Sequence, residues 1–208
     1  MPEKVIQKYD YQNLVTPDIE GLIFDCDGTL VDSMPLHMQA WEAAFNGVQA
    51  VYHADFLRSL NGMKETDVIA LYNQTYSTNL DSGLMVRLKH DFFRLHLSEI
   101  KPVEPVVKIV RQFHGKKPMA VVSGSIRDHV HLQLKVVGVF EFFQVILTAD
   151  DPFAPKPAPD LFYEAARRIR IDPARCLVFE DGAPGLQSAK NAGMAVVDIR
   201  DLLKQNTI

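Results

Sequence analysis

The stretch GLIFDCDGTL, residues 21–30, joins a short apolar run to two acidic residues that stand one position apart. The apolar run, Gly21 to Phe24, is typical of a buried β-strand. Asp25 and Asp27 follow where this strand would leave the core. Two like charges so close together are unfavourable unless a ligand or a reaction uses them. The stretch therefore predicts a buried strand with an acidic site at its carboxyl end.

Further apolar runs alternate with helical segments from Pro105 onwards. The runs are PMAVVS, FFQVILT, RCLVFE and MAVVDI. They are apolar throughout, as is typical of parallel strands that helices cover on both faces. Between them, apolar residues recur at spacings of three and four, which indicates amphipathic helices. With the strand before Asp25, the sequence predicts an α/β fold whose core is a Rossmann-like, doubly wound parallel sheet of five strands.

Residues 33–98 interrupt this pattern after the first strand. They contain no strand-like run and carry helical spacing throughout, starting at PLHMQAWEAAFNGV, where Pro35 suits a first helical turn. We expect them to form a small α-helical cap domain inserted into a discontinuous core domain, residues 1–32 and 99–208. Within that core, residues 1–19 are expected to be a polar N-terminal tail.

Composition limits the classes of partner. With 22 basic and 26 acidic side chains, a net charge of -4 and no long basic cluster, the chain is unsuited to nucleic acid. No stretch approaches the ~18 to 20 apolar residues of a membrane span, and the N-terminus lacks the apolar core of a signal peptide. Cys26 and Cys176 lie in apolar runs and are expected to be core thiols. We expect a cytoplasmic monomer that binds neither nucleic acid nor membrane.

Polar residues gather at the predicted carboxyl ends of the strands, beyond which doubly wound folds bind their ligands. These residues are Asp25, Asp27, Ser123, Gly124, Lys156, Glu180 and Asp181. Four carboxylates this close would raise one another's pKa unless a cation compensated them, and an all-oxygen set suits Mg²⁺. A lysine and a turn of donors opposite the metal suit phosphoryl chemistry. Each acid taken singly could equally be a helix cap or a turn former.

Four motifs occur in order along the chain. They are FDCDGTLVDS (24–33), VVSGS (121–125), PKPAPD (155–160) and VFEDGAPG (178–185). They resemble the ordered motifs of the haloacid dehalogenase superfamily, in the branch with a small helical cap that includes β-phosphoglucomutase. The resemblance covers roughly residues 20 to 200 and implies a hydrolase or a mutase of phosphorylated small molecules.

The resemblance also implies a role for each motif residue. Asp25 would be the nucleophile that forms an aspartyl-phosphate. Asp27 would protonate the leaving alkoxide and then, as a base, activate water. Ser123 and the backbone N–H of Gly124 would bind the transferring phosphoryl group, and Lys156 would place an ammonium group opposite Asp25.

A Mg²⁺ cofactor is implied by the same resemblance. Its ligands would be Asp25, the main-chain carbonyl of Asp27, and Asp181, with Glu180 acting through water. Next to these, the Thr29 hydroxyl could hold the turn, or Thr29 could be an ordinary loop residue.

The cap is expected to choose the substrate. His37 and Trp41, one turn apart on the first cap helix, are candidates to meet a sugar-like substrate. Packed core is the favoured alternative for Trp41, whereas His37 could equally be structural. Asn61 and Gly62 lie in the loop LNGMKETD, residues 60–67, and could bind substrate hydroxyls.

This loop also departs from that of β-phosphoglucomutase, which carries a lysine at the position of Asn61 and an arginine at that of Glu65. A mutase must hold a second phosphate, which needs positive charge. Glu65 argues against this, although Lys64 could partly substitute. The Asn-Gly pair instead resembles the sugar-phosphate phosphatases of the same branch, including those that act on fructose 1-phosphate.

The sequence therefore predicts a Mg²⁺-dependent phosphatase that hydrolyses a small phosphorylated sugar or polyol through Asp25. β-Phosphoglucomutase is the alternative, and a non-catalytic phospho-ligand binding module is a third. A dehalogenase is disfavoured because its chemistry has no alkoxide for Asp27 to protonate.

Overall fold

The computed structural model describes residues 14–204. The chain divides into two compact units, one containing the residues up to Val31 and from Pro102, the other Asp32–Lys101. Val15 and Ile19 are buried, although they lie in the segment that we expected to be a polar tail. Residues 1–13 of that tail lie outside the described residues.

The strands and helices follow in chain order. The strands are β1 (Gly21–Phe24), β2 (Val31–Asp32), β3 (Lys101–Pro102), β4 (Met119–Val122), β5 (Val145–Leu147), β6 (Cys176–Glu180) and β7 (Ala195–Asp198). The α-helices are α1 (Met34–Gly47), α2 (Ala54–Ser59), α3 (Glu65–Tyr76), α4 (Ser82–Leu95), α5 (Glu104–Phe113), α6 (Arg127–Val136), α7 (Asp160–Ile169), α8 (Ala183–Asn191) and α9 (Ile199–Lys204). Short 3₁₀ helices span Leu97–Glu99, Phe140–Phe142 and Pro173–Arg175.

The first unit contains a parallel five-stranded sheet in the order β5-β4-β1-β6-β7. The chain winds outward from β1 in both directions, which confirms the predicted doubly wound α/β fold. In the register, Phe24 of β1 lies beside Val121 of β4 and Phe179 of β6. The carboxyl ends of these three strands therefore lie side by side in the sheet.

Burial explains the uniformly apolar strand sequences. Every residue of the central strands β1, β4 and β6 is buried, whereas the edge strand β7 is partly exposed. Phe24 stacks on Phe179 with ring centroids 4.8 Å apart, and α7 packs Leu161 and Phe162 against the sheet. Filling both faces with apolar side chains stabilises such a sheet by roughly 25 cal/mol per Å² buried.

The second unit is built from α1 to α4 around its own apolar core. Trp41, Phe45, Leu57, Ile69 and Met85 are among the buried residues that pack together there. Pro35 lies in the first turn of α1, as the sequence indicates, and the helix ends at Gly47.

The short strands β2 and β3, which pair where the chain passes between the two units, were not anticipated. A pair of two-residue strands is too short to leave a recognisable pattern in a sequence.

Two expectations about the chain as a whole can be compared with the structure. Cys26 and Cys176 are buried free thiols, as predicted. Among residues 14–204, no helix is long and apolar enough to cross a membrane.

Candidate active site

The carboxyl ends of β1, β4 and β6 bring the predicted polar residues of the core together. Asp25 follows β1 directly, Ser123 follows β4, and Glu180 is the last residue of β6. Asp25, Ser123 and Glu180 are all buried, at 6%, 1% and 3% exposure. Buried polar groups persist only when they are paired, so their partners indicate what the site can do.

Lys156 links two of these strand ends. Its Nζ donates hydrogen bonds to Asp25 Oδ1 at 2.7 Å, to Glu180 Oε2 at 2.6 Å and to the main-chain oxygen of Val122 at 3.1 Å. Burial alone would lower the pKa of Lys156, but the charges of Asp25 and Glu180 raise it above its ordinary value. The side chain is therefore a fixed ammonium group rather than a solvated surface lysine.

Asp25, Glu180 and Asp181 form the acidic part of the site. Each offers a carboxylate oxygen that lies within 4.8 Å of the others. Burial and the charge of Glu180 raise the pKa of Asp25 well above its usual range, and burial together with Glu180 raises the pKa of Asp181 to about 6. One ammonium group thus does not balance the cluster, and its all-oxygen donor set suits a hard divalent cation.

Both carboxylate oxygens of Glu180 accept hydrogen bonds. Besides Lys156 at Oε2, its Oε1 accepts hydrogen bonds from the backbone N–H of Asp181 at 3.1 Å and of Gly182 at 2.9 Å. A Cβ on Gly185 of α8 would lie 1.8 Å from Oε2, so only glycine leaves room for this carboxylate. Glu180 is therefore placed to orient Lys156.

Asp181 is positioned by the turn that follows β1. The buried Thr29 hydroxyl donates to Asp181 Oδ1 at 2.9 Å, so Thr29 has a defined partner and is not an ordinary loop residue. Gly28 has a φ of 84°, and a Cβ there would lie 2.3 Å from Asp181 Oδ2. The turn thus requires glycine both for its backbone conformation and for the close approach of Asp181.

The carboxylate of Asp27 is hydrogen-bonded by side chains other than Lys156 and Thr29. Ser125 Oγ donates to Asp27 Oδ2 at 2.6 Å, and Gln133 Nε2 donates to Asp27 Oδ1 at 3.0 Å. Ser123 Oγ accepts from the backbone N–H of Ser125 at 3.0 Å, which folds the Ser-Gly-Ser turn over the end of β4.

The fold agrees with comparisons to known proteins. A model of haloacid dehalogenase-like hydrolases matches residues 19–193. The chain belongs to this family. It is 35% identical over 181 residues to the fructose-1-phosphate phosphatase YqaB of Escherichia coli K12, covering 86% of this chain and 96% of that protein.

The chain also has more distant relatives. The chain is 24% identical over 189 residues to the β-phosphoglucomutase of Bacillus subtilis 168, covering 87% of this chain and 83% of that protein. The fold of the present chain is similar to that of CbbY from Rhodobacter sphaeroides, solved in complex with phosphate. That match has a TM-score of 0.74 at 23% identity and covers 86% of this chain and 84% of that one.

In this hydrolase, the residues predicted from the cap lie in the second unit. His37 is half-buried and stacks on Phe93 with ring centroids 4.4 Å apart, and Trp41 is packed in the core of that unit. The remaining candidates are exposed in and beside the turn before α3; they are Asn61, Gly62 and Lys64.

Glu65, in contrast, is engaged within the second unit. Its carboxylate accepts a hydrogen bond from the buried Lys89 and lies 2.6 Å from Nε2 of His90. The charge of Glu65 is therefore compensated locally, within the second unit.

Gln133 was not predicted as a site residue, and Ser125 was given no role. A signal for Gln133 exists in the sequence, because it interrupts the apolar positions of α6, between Val130 and Leu134. A lone amide at a buried position of an amphipathic helix indicates a specific polar partner.

Proposed function

We propose that this hydrolase is a Mg²⁺-dependent phosphatase that hydrolyses a small phosphorylated sugar or polyol through a phosphorylated Asp25. One observation carries the proposal: the fixed ammonium group of Lys156 binds Asp25 within a cluster of three buried or half-buried carboxylates. This arrangement presents a carboxylate nucleophile beside positive charge, as phosphoryl transfer needs.

The reaction divides into two steps. A carboxylate oxygen of Asp25 bonds to phosphorus while the bond from phosphorus to the ester oxygen breaks, and Asp27 gives its proton to the leaving alkoxide. Asp27 then takes a proton from water, whose oxygen bonds to phosphorus as the bond to Asp25 breaks. Inorganic phosphate leaves, and Asp25 and Asp27 return to their starting states.

The residues at the strand ends support the charge of the phosphoryl group. Lys156 holds Asp25 in place and is proposed to contact a phosphoryl oxygen. Ser123, at the end of β4, and the backbone N–H of Gly124 are proposed to bind the other phosphoryl oxygens as preset donors. Since these groups are fixed before substrate binds, little reorganisation is needed in the reaction.

The acidic cluster fits Mg²⁺ because its donors are all oxygen and its negative charge exceeds its positive charge. Asp25, Asp181 and the main-chain carbonyl of Asp27 would hold the ion. Glu180, both of whose oxygens are already hydrogen-bonded, would act indirectly through Lys156 and water. Bound there, the ion would supply positive charge that compensates the phosphoryl oxygens.

Residues 33–98 are proposed to act as a cap that selects the leaving group, through His37, Asn61, Gly62 and Lys64. The relationship to a fructose-1-phosphate phosphatase makes fructose 1-phosphate the first substrate to test. We further propose that the enzyme acts as a monomer in the cytoplasm, a reducing environment that suits its two buried free thiols.

The test is phosphate release from a panel of sugar and polyol phosphates with Mg²⁺. We expect Asp25→Asn to abolish release and Asp55→Asn, which changes an exposed acid of α2, to leave it unchanged. Retained release by pure Asp25→Asn would refute the proposal. A parallel assay, in which glucose 1-phosphate is incubated with glucose 1,6-bisphosphate, tests the mutase: isomerisation without phosphate release would establish that alternative.

A further inference from the structure

Gln133 is a fully buried glutamine on α6. Burying an amide costs about 1–3 kcal/mol unless its N–H and its carbonyl oxygen are both hydrogen-bonded. Here Nε2 lies 3.0 Å from Asp27 Oδ1, and Oε1 lies 3.6 Å from Cys26 Sγ. Gln133 therefore bridges two residues of the turn that follows β1.

The partners fix which way the amide points. A carboxylate can only accept hydrogen bonds, so the NH₂ group must face Asp27. The thiol of Cys26, which can donate through S–H, then faces the carbonyl oxygen. The contact with Asp27 and the contact with Cys26 therefore require the same orientation of the amide, in which Gln133 is a donor to Asp27.

Both carboxylate oxygens of Asp27 accept hydrogen bonds. Oδ1 accepts from Gln133, and Oδ2 accepts from Ser125 Oγ at 2.6 Å. The two partners come from different elements, one from α6 and one from the turn after β4. Together they hold the plane of the carboxylate, which a single partner would leave free to rotate.

The two oxygens differ in what they can do. The amide NH₂ of Gln133 only donates, so Oδ1 stays an acceptor. The Ser125 hydroxyl can donate or accept, so Oδ2 is the oxygen that can carry a proton. An acid–base group acts efficiently only when its reacting atom is aligned with the substrate.

We propose that Gln133 is a positioning residue that, through Oδ1, orients Asp27 so that Oδ2 faces the leaving group and the attacking water. This inference rests on the proposed function, because it assumes that Asp27 transfers the proton. Gln133 itself touches no reacting atom and acts only through Asp27.

The test compares Gln133→Met, which removes the donor at similar side-chain length, with Leu134→Met, which alters the buried neighbour on the same helix. With enzyme in excess over p-nitrophenyl phosphate, the release of p-nitrophenolate reports only the transfer to Asp25, and this leaving group departs without a proton. Steady-state phosphate release from a sugar phosphate reports the steps that use Asp27.

In Gln133→Met, we expect the single-turnover release of p-nitrophenolate to stay within about twofold of the wild type. Sugar-phosphate turnover should fall roughly tenfold, a part of the ~10²–10⁴-fold that an acid–base group contributes. Leu134→Met should change neither. In an Asp27→Asn background, Gln133→Met should have almost no further effect, because its only route of action is already lost.

Equal loss of both rates in Gln133→Met would overturn the proposal, since it would indicate a structural defect around Asp25. Unchanged sugar-phosphate turnover would overturn it as well. If the methionine variant does not fold, Gln133→Asn, whose shorter amide cannot reach Asp27, is expected to give the same split between the two rates. Failure of the proposed function is distinguishable, because the wild type would then release no phosphate or Asp25→Asn would remain active.

Discussion

The two units of this hydrolase each bury a lysine against an acid and over an aromatic ring. In the first unit, Lys156 pairs with Asp25 and lies 5.4 Å from the centroid of the Phe162 ring. In the second unit, Lys89 pairs with Glu65 and lies 5.0 Å from the centroid of the Trp41 ring. Both ammonium groups are nearly buried, so burial alone does not distinguish a site from a structural pair.

The balance of charge distinguishes them. Near Lys156 the acids outnumber the base, and burial and Glu180 raise the pKa of Asp25 well above its usual range. In the second unit the carboxylate of Glu65 accepts a hydrogen bond from the Lys89 ammonium group and lies 2.6 Å from Nε2 of His90. Burial alone would raise the pKa of Glu65, but His90 and Lys89 lower it to about 2. A cluster with surplus negative charge can take up a cation, whereas the charge of Glu65 is already compensated.

Replacing each lysine by methionine would give the sharpest contrast. Lys156→Met should lower kcat by roughly 10²- to 10³-fold, because it removes a preset cation beside the nucleophile. Lys89→Met should leave kcat within about threefold and should lower the free energy of unfolding by about 1–3 kcal/mol. Steady-state kinetics and urea denaturation of both variants measure the two effects. A folded Lys89→Met enzyme with no turnover would show that the comparison is wrong.

We expect Mg²⁺ to bind at the cluster with surplus negative charge, which contains Asp181, and not near Glu65. Mg²⁺ at about 100 times its Kd should stabilise the wild type by about 2.7 kcal/mol, seen as a rise in Tm. Asp181→Asn should weaken Mg²⁺ binding at least about tenfold, while Glu65→Gln should bind Mg²⁺ as the wild type does. Thermal denaturation across a Mg²⁺ titration measures both. An Asp181→Asn variant with the wild-type response would remove Asp181 from the proposed site.

A glycine next to Glu180 tests how tightly that carboxylate is held. Alanine usually stabilises a helix by about 1 kcal/mol relative to glycine. Gly185→Ala should instead lower activity about tenfold, because a Cβ 1.8 Å from Glu180 Oε2 forces this side chain away from Lys156. Gly47→Ala is the matched control in α1, where the new Cβ would be 3.6 Å from Leu88. Equal activity in the two variants would contradict the proposed role of Glu180.

The smallest effect on activity is expected for Glu65→Gln, which should change stability instead. The pKa of Glu65 is about 2 in the folded protein against an ordinary value of 4.5, so its contribution is fully present above pH 4.5. At pH 7 we expect a loss on the order of 2 kcal/mol relative to the wild type. This difference should shrink as the pH falls from about 4.5 towards 2, where the folded protein also takes up the proton.

Urea denaturation of the wild type and Glu65→Gln at several pH values measures this dependence. Asp67→Asn, which changes an exposed acid of the same helix, is the control and should show a much smaller difference. A Glu65→Gln deficit that grows as the pH falls below 4.5 would reverse the assigned sign.

Most of the residues in the core site could be predicted from the sequence, because the carboxyl ends of neighbouring parallel strands lie side by side in a sheet. Once GLIF is a buried strand beside MAVV and CLVFE, Asp25, Ser123 and Glu180 are brought to one edge whatever the details of packing. The lysine of PKPAPD has no such constraint on its position along the chain. Its contact with Asp25 followed only from the family resemblance until the structure gave the distance.

Other features depend on side chains that are distant in sequence. The contact of Thr29 with Asp181 joins residues 152 positions apart, and that of Gln133 with Asp27 joins residues 106 apart. The partners of Glu65 likewise come from another helix, so a charge that the sequence presents as free is compensated in the folded chain.

The sequence by itself determined the α/β fold, the helical block and the acidic strand ends, because periodicity and motif spacing are local properties that packing must respect. Only the tertiary structure decided which acid is held by hydrogen bonds and which retains surplus charge. That distinction depends on burial and on the distances between side chains, and neither can be obtained from the order of residues along the chain.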